Sequence, residues 1–286
     1  MRSKYREIRT TCGSYLDIDI FPVFRDSRAG VKRGKRFKPS PDTMVRYNQR
    51  RRETRLERLV LSNFEDSGLF FNPSFDPEHY PASDEECRRV VKNFLRRLRA
   101  WRKRHGMSEL KYIYKIERGK RRGRLHLHTI LNCSDMPLGE LDRIWGMGYC
   151  YSSALSCDAD GCAGISRYFC KGKAAQDPEE SDLSKDVSCS WVPSRNLTEP
   201  VEYRRDGSIT KRQAQELCRL GDDAKPELEK LYEGHDFVYC KPLLNEVNGG
   251  YYITVRMRKR QVRKRDRYDR RRDQTSNGIL LRSQAC

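Results

Sequence analysis

The chain has 286 residues, with 59 Lys and Arg against 40 Asp and Glu, for a formal net charge of +19. A field of that sign draws a protein to polyanions, with nucleic acid the natural partner and strongly salt-dependent binding the expectation. Hydrophobic residues at 36%, including 10% aromatics, allow a modest core in one or two domains, and no apolar run reaches the length that spans a membrane as a helix.

In chain order, residues 1–40 hold a β-like run, Tyr15-Leu16-Asp17-Ile18-Asp19-Ile20, and then a Gly/Lys/Arg loop from Gly30 to Lys38. That loop could track phosphates or be a solvated charge run. Residues 41–63 read as a basic helix. Leu69-Phe70-Phe71-Asn72-Pro73-Ser74-Phe75 reads as a strand, although a mid-strand proline is unfavourable except at an edge or bulge. Ser83-Asp84-Glu85-Glu86 is a capping box. It opens a helix in which Val90, Val91, Phe94, Leu95, Leu98 and Trp101 fall at core spacing, and Gly106 closes it. The opposite face, with Arg88, Arg89, Lys92, Arg96, Arg99 and Lys103, fits a solvated surface.

Lys111-Tyr112-Ile113-Tyr114-Lys115-Ile116-Glu117 is rich in β-formers. A basic turn with two glycines, Arg118-Gly119-Lys120-Arg121-Arg122-Gly123, leads into Arg124-Leu125-His126-Leu127-His128-Thr129-Ile130-Leu131, so the pair reads as a hairpin. Side chains alternate along a strand, which sets His126 and His128 on one face and Leu125, Leu127, Thr129 and Leu131 on the other. Two imidazoles on one face of an apolar strand can hold a divalent metal. Such a pair is also found as a hydrogen-bonded surface pair. Glu117 at the end of the first strand could join them, and two imidazoles with one carboxylate suit Mg²⁺ or Mn²⁺ better than zinc. It equally fits a strand-end charge balancing the basic turn.

Leu138 to Trp145 reads as a short helix. Gly164-Ile165-Ser166-Arg167-Tyr168-Phe169-Cys170-Lys171 reads as another, with Tyr168 and Lys171 sharing a face. A phenol attacks a phosphodiester when a metal polarises it and an ammonium steadies the charge; as an isolated pair, the two residues would be a half-buried aromatic and a solvated lysine. Residues 175–190 are acidic and Ser-rich and read as a mobile loop. Residues 209–257 read as helix, helix, and strands around Phe237-Val238-Tyr239 and Tyr251-Tyr252-Ile253-Thr254-Val255. Arg256 to Arg272 is a densely basic tail suited to non-specific DNA binding. No secretory signal opens the chain, so a cytoplasmic protein is expected, with its eleven cysteines as reduced thiols. No internal repeat is visible.

Glu117, then His126-Leu127-His128, then Tyr168-x-x-Lys171 resembles the HUH endonuclease superfamily, specifically the rolling-circle replication initiator (Rep) proteins of small bacterial plasmids and single-stranded DNA phages. Asn48-Gln49-Arg50 through Asn63-Phe64-Glu65, Trp145-Gly146-Met147-Gly148 and Ser194-Arg195-Asn196-Leu197-Thr198-Glu199-Pro200 resemble further segments of that family, and the likeness spans about residues 40–257. It implies an α+β fold with a central antiparallel β-sheet flanked by helices, ferredoxin/RRM-like, with the histidines on a middle strand. The organisation expected is an N-terminal basic extension over 1–40, a nuclease domain with a C-terminal α/β extension over 41–257 (catalytic part about 65–175), and a basic tail over 258–286.

The resemblance also implies a mechanism. His126, His128 and Glu117 would hold Mg²⁺ or Mn²⁺ on the scissile phosphate. Tyr168 would attack, with Lys171 beside it, leaving a 5′-phosphotyrosine link and a 3′-OH for a host polymerase. Arg121, Arg122, Arg124, Arg167 and Lys173 would bind the single-stranded origin DNA. Two departures stand out. Phe70-Phe71-Asn72-Pro73 replaces a Thr-rich strand. Gly164 stands where some relatives carry a second tyrosine, so a second subunit is one answer to strand closure. No Gly-x-x-x-x-Gly-Lys-[Ser/Thr] motif is present, so a host helicase is implied. A relaxase or transposase of the same superfamily, a water-using metal nuclease and a non-enzymatic basic nucleic-acid-binding protein are the other readings of this pattern.

Overall fold

A computed structural model describes residues 4–24, 41–65, 67–118, 123–155, 157, 161–170, 191–246 and 248–260. Among them the fold is α+β, with two antiparallel sheets of five strands each. The first sheet runs β8-β1-β2-β10-β9 and the second β6-β3-β5-β4-β7.

The first sheet begins with the hairpin β1 (Lys4–Cys12) and β2 (Tyr15–Val23), and is completed by β8 (Val201–Asp206), β9 (His235–Asn245) and β10 (Gly250–Lys259). Residues 4–23, read from sequence as part of an N-terminal extension, therefore pair with the C-terminal part of the chain: β2 lies against β10, and β1 against β8. Alternation explains it, since Tyr5, Leu16, Ile18 and Ile20 are buried with Ile253, Val255 and Met257. Helices α5 (Lys211–Leu220) and α6 (Lys225–Leu231), joined by the 3₁₀ turn Gly221–Ala224, cover that core through Ala214, Leu217 and Leu228. The expected order of two helices and two strands over 209–257 is what the fold contains. The basic stretch starting at Arg256 begins inside β10, and Arg256 is buried at 2% exposure.

The second sheet holds β3 (Leu69–Pro73), β4 (Tyr112–Arg118), β5 (Leu125–Leu131), β6 (Cys150–Ala154) and β7 (Val192–Pro193). One face is covered by α2 (Asp84–Arg104) and α3 (Leu138–Trp145). Ser83 caps α2 by accepting the Glu86 N–H at 3.1 Å, while Glu86 reaches back to Ala82 N at 2.8 Å, one residue before the cap. Of the expected stripe, Val91, Phe94, Leu95, Leu98 and Trp101 are buried against Phe71, Leu125, Leu127 and Leu131, while Val90 is only partly buried at its margin. Phe94 meets Trp145 edge-on at 5.3 Å and stacks on Phe71 at 5.7 Å, contacts worth about 0.5–1.5 kcal/mol each beyond burial. Pro73 sits at the last position of β3, where its missing N–H costs least.

Helix α1 (Pro41–Phe64) and α4 (Ala163–Cys170) pack together on the other face. Leu56, Leu59, Val60 and Phe64 of α1 form one core with Tyr15 of the first sheet, Ile113 and Ile130 of the second, and Phe169 of α4. The end of α1 is tied to the Ser194–Pro200 segment. Asn63 accepts the Thr198 N–H at 2.8 Å and donates to Thr198 O at 2.9 Å, and Lys111 donates to Asn63 Oδ1 at 2.9 Å. The expectation of wholly reduced cysteines needs one correction, because Cys157 and Cys162 form a disulfide with Cα atoms 4.5 Å apart. Gly161, next to Cys162, stands at φ +122°, a backbone conformation that favours glycine. The loops over Gly30 to Lys38 and 175–190, and most of the basic tail, lie outside the described residues.

Glu7 and Asp17 are buried carboxylates in the first sheet. Burial alone would raise Glu7, but bonds from Arg9 (2.8 Å), Tyr232 (2.7 Å) and Ser208 (2.8 Å) hold it below the usual carboxylate range. Burial likewise opposes, and the bond from Arg256 overcomes, so that Asp17 is lowered too. A folded-state pKa below the unfolded one gives stability that is fully present above the unfolded value and lost as pH falls through the folded one. The thermal midpoint should therefore hold steady from neutrality to about pH 5 and fall below about pH 4. Melts of Glu7→Gln across the same range check this: the variant should start less stable and lose less with acid, and an unchanged acid slope would remove Glu7 from the account.

Candidate active site

The face of the second sheet opposite α2 and α3 carries the polar residues. Along β5 the alternation puts Leu125, Leu127 and Leu131 in the core below α2 and turns His126 and His128 to the face shared with α4. The register sets Glu117 opposite His126, and Lys115 opposite His128. The two imidazoles are nearly parallel, 18° between planes, with centroids 6.4 Å apart.

Each group has a defined electrostatic state. Glu117 Oε1 is 3.4 Å from His128 Nε2, and its Oε2 is 2.7 Å from Lys115 Nζ. The His128 bond, helped by Lys115, holds the Glu117 carboxyl down to about 2, so it is ionised throughout the neutral range. Burial and then the neighbouring His128 lower His126, which keeps its ring neutral with a free lone pair at neutral pH. His128 Nδ1 lies 3.1 Å from Asn72 Oδ1 on β3. That contact ties the His128 ring to the neighbouring strand. Phe70, two residues before Asn72, stacks on the His128 ring at 6.5 Å.

Helix α4 brings Tyr168 onto this face. Its Oη is 3.2 Å from His128 Nε2 and 3.3 Å from Nδ1, and its ring stands edge-on to His128 at 5.1 Å. Tyr168 is 38% exposed. Burial of the hydroxyl, with the Glu117 charge nearby, raises its pKa, so the phenol is protonated at neutral pH. Phe169 anchors the helix in the core, fully buried, and Gln49 of α1 donates to Cys170 O at the end of α4 at 2.5 Å.

The structure therefore brings Glu117, His126, His128 and Tyr168 to one place. Arg124 lies just before β5, and Arg167 is exposed on α4, bonded to Ala163 O of its own helix at 3.3 Å. Lys171, Arg121, Arg122 and Lys173 lie outside the described residues. Two further residues join the site that the motif reading left aside. Lys115 shares parity with Glu117 along β4, which alternation alone would reveal, and its side chain is 2% exposed. Asn72 stood out from sequence only as a departure from a Thr-rich strand.

Two imidazoles and an ionised carboxylate are a donor set suited to a hard or borderline divalent cation. As placed, Glu117 is drawn onto Lys115 and His128, and among the described residues no three His, Cys, Asp or Glu side chains converge into a ready metal group. Coordination would need Glu117 to turn from Lys115 toward the rings.

Residues 75–173 match the family model of the ORF2-type Replication-associated protein. This is a rolling-circle replication initiator family. The matched segment contains Glu117, both histidines, Tyr168, Lys171 and the Trp145–Gly148 turn; β1 and β2 precede it, and β8, β9 and β10 follow it. No curated protein and no solved structure matches the chain. No described helix is long and apolar enough to cross a membrane.

Proposed function

We propose that this protein is a replication initiator that nicks single-stranded origin DNA with Tyr168 as the nucleophile. The observation that supports it best is the approach of Tyr168 Oη to within 3.2 Å of His128 Nε2, on the face shared with His126 and Glu117 and inside the segment that matches the family model. Tyr168 Oη attacks the scissile phosphorus, the phenolic proton leaves, and the bond from phosphorus to the 3′ oxygen breaks. The 5′ side stays joined as a phosphotyrosine, and the 3′ oxygen takes up a proton to become the 3′-OH from which a host polymerase extends. The retained phosphodiester energy allows a second transfer to rejoin the strand. With one tyrosine in position, a second subunit is the simplest source of the second nucleophile, and strand separation falls to a host helicase.

His126, His128 and Glu117 would hold Mg²⁺ or Mn²⁺, which when bound supplies Lewis-acid polarisation of the phosphate. Lys171, three residues after Tyr168 in sequence, would steady the developing charge, and Arg121, Arg122, Arg124, Arg167 and Lys173 would take the flanking phosphates. Asn72 holds the His128 ring in place. Second partners of this kind are worth about 10–100-fold in metal affinity or activity. Asn72→Ala should therefore raise the Mn²⁺ concentration needed for half-maximal nicking by about that factor, read from a metal titration; an unchanged titration would remove the role.

The test of the reading is covalent trapping. Purified protein, single-stranded DNA from its own replicon and Mn²⁺ are incubated and denatured, and the protein is examined for a band shifted by attached DNA. A shifted band that is absent from the variant with both histidines replaced by alanine supports the proposal. Cleavage without an adduct would mean hydrolysis by water. Binding without cleavage would leave a basic nucleic-acid-binding module.

A further inference from the structure

Beside the site, where the chain enters the edge strand β6, two tyrosines stand in solvent. Tyr149 is 83% exposed and Tyr151 62%, an open position for side chains that usually bury much of their surface. The register decides which way they face. Asn72 of β3 lies opposite Tyr151, and directly opposed residues of an antiparallel pair project to the same side. Asn72 projects toward His128, to which it is bonded at 3.1 Å. Lys115, His128, Asn72 and Tyr151 thus form one row across four strands, and Tyr149, two residues earlier, falls on the same side. At about 4.8 Å between strands, Tyr151 stands roughly 10 Å from His128 along the sheet.

The backbone that presents these rings is held firmly. Ser74 N donates to Tyr149 O at 2.7 Å, Asp76 N to Met147 O at 2.9 Å, and Ser74 Oγ to Tyr149 O at 2.8 Å. Trp145 Nε1 adds a bond to Ser74 O at 2.9 Å. Gly148, at φ +141°, lies so close to the chain after β3 that a Cβ there would meet Asp76 N at 2.5 Å and Ser74 O at 2.6 Å. Two aromatic rings are therefore presented by a rigid turn, level with the candidate nucleophile, on a chain of net charge +19.

We infer that Tyr149 and Tyr151 form a stacking platform for the unpaired bases next to the scissile phosphate of single-stranded DNA. The inference rests on the nicking site proposed above and adds to it how the strand is gripped. Every base has a π-face, so such a platform binds without reading sequence, and it works only when the bases are unpaired. The charged groups hold phosphates; the tyrosines fix the bases and so the register in which a phosphate meets Tyr168.

The experiment measures binding of a fluorescein-labelled single strand by anisotropy, for the full-length parent, Tyr151→Phe, Tyr151→Ala and the Tyr149→Ala/Tyr151→Ala variant, over a range of salt. A parallel set of strands carries 2-aminopurine at successive positions around the nick, because its emission is quenched when it stacks. Each alanine should weaken single-strand binding by roughly 5- to 150-fold, while Tyr151→Phe keeps the ring and parental affinity. The slope of log affinity against log salt should not change, since no phosphate contact is lost. Affinity for the fully paired duplex should not change either. Quenching should be confined to one or two positions in the parent and disappear in the double variant. Parental affinity and quenching in the double variant would overturn the platform while leaving an adduct-forming parent, and so the nicking site, intact. A parent that neither binds single strands nor forms the adduct would overturn both. A double variant that binds normally but changes sedimentation from dimer to monomer would assign the edge to self-association instead.

Discussion

Tyr168→Phe is expected to lower nicking by about 10⁴-fold or more and to abolish the covalent adduct, since removing a nucleophile from a unit that acts together forfeits most of its rate enhancement. The substitution deletes one oxygen. The ring contacts survive it: edge-on packing against His128 at 5.1 Å and against Phe70 at 6.2 Å needs only the phenyl group. The lost hydroxyl bond to His128 is worth about 0.5–1.5 kcal/mol, so the melting transition should shift little. Affinity for single-stranded DNA should also hold, because no cation and no platform ring is removed. The measurement is a single-turnover time course on denaturing gels, with binding and melting controls on the same preparation. Cleavage continuing at the parental rate would end the nucleophile assignment, whatever the histidines then proved to do.

The candidate site was legible because its signals are local. Strand alternation alone places His126 and His128 on one face, and a turn of known length brings Glu117 opposite His126. The same rule would have found Lys115. The helix stripe from Val91 to Trp101 and the span of α3 were equally readable, since periodicity and caps act within a few residues. What could not be read was pairing between distant segments. Nothing local in Lys4–Val23 says that it lies between strands from residues 201–259, so the first sheet was not foreseen, although several of its strands were. The buried role of Arg256 was hidden for the same reason: in a run of basic residues it looks like solvated charge, and only the distant carboxylates Asp17 and Glu57 make it otherwise. The exposed pair Tyr149 and Tyr151 was silent because strand propensity accounts for tyrosines without assigning a face, and only the register with Asn72 supplies one.

That buried arginine sets the second large expectation. Arg256→Met should destabilise the protein by about 3–5 kcal/mol, the usual consequence of removing one partner from a buried ionic group. The guanidinium donates to Asp17 at 2.7 and 3.1 Å and to Glu57 at 2.5 Å, with its side chain 3% exposed. It also lies over the rings of Tyr15 and Tyr239, at 5.7 and 5.5 Å. Arg58 bonds Asp17 at 2.9 Å and Asp19 at 3.2 Å, so without Arg256 it has two carboxylates to neutralise, and the buried Glu57 loses the arginine that bonds it. The group joins β2 and β10 to α1, and α1 in turn holds the tyrosine helix through Gln49. Loss of Arg256 should therefore lower nicking as well as the denaturation midpoint. Chemical denaturation of Arg256→Met alone and combined with Asp17→Asn and Glu57→Gln separates the causes. If the cost is uncompensated buried charge, neutralising the carboxylates should recover much of the stability; if the triple variant is no better than the single one, the arginine acts through packing on the two tyrosines instead. Arg256→Lys should fall between, because an ammonium keeps the charge but cannot reproduce the fork that spans Asp17 and Glu57.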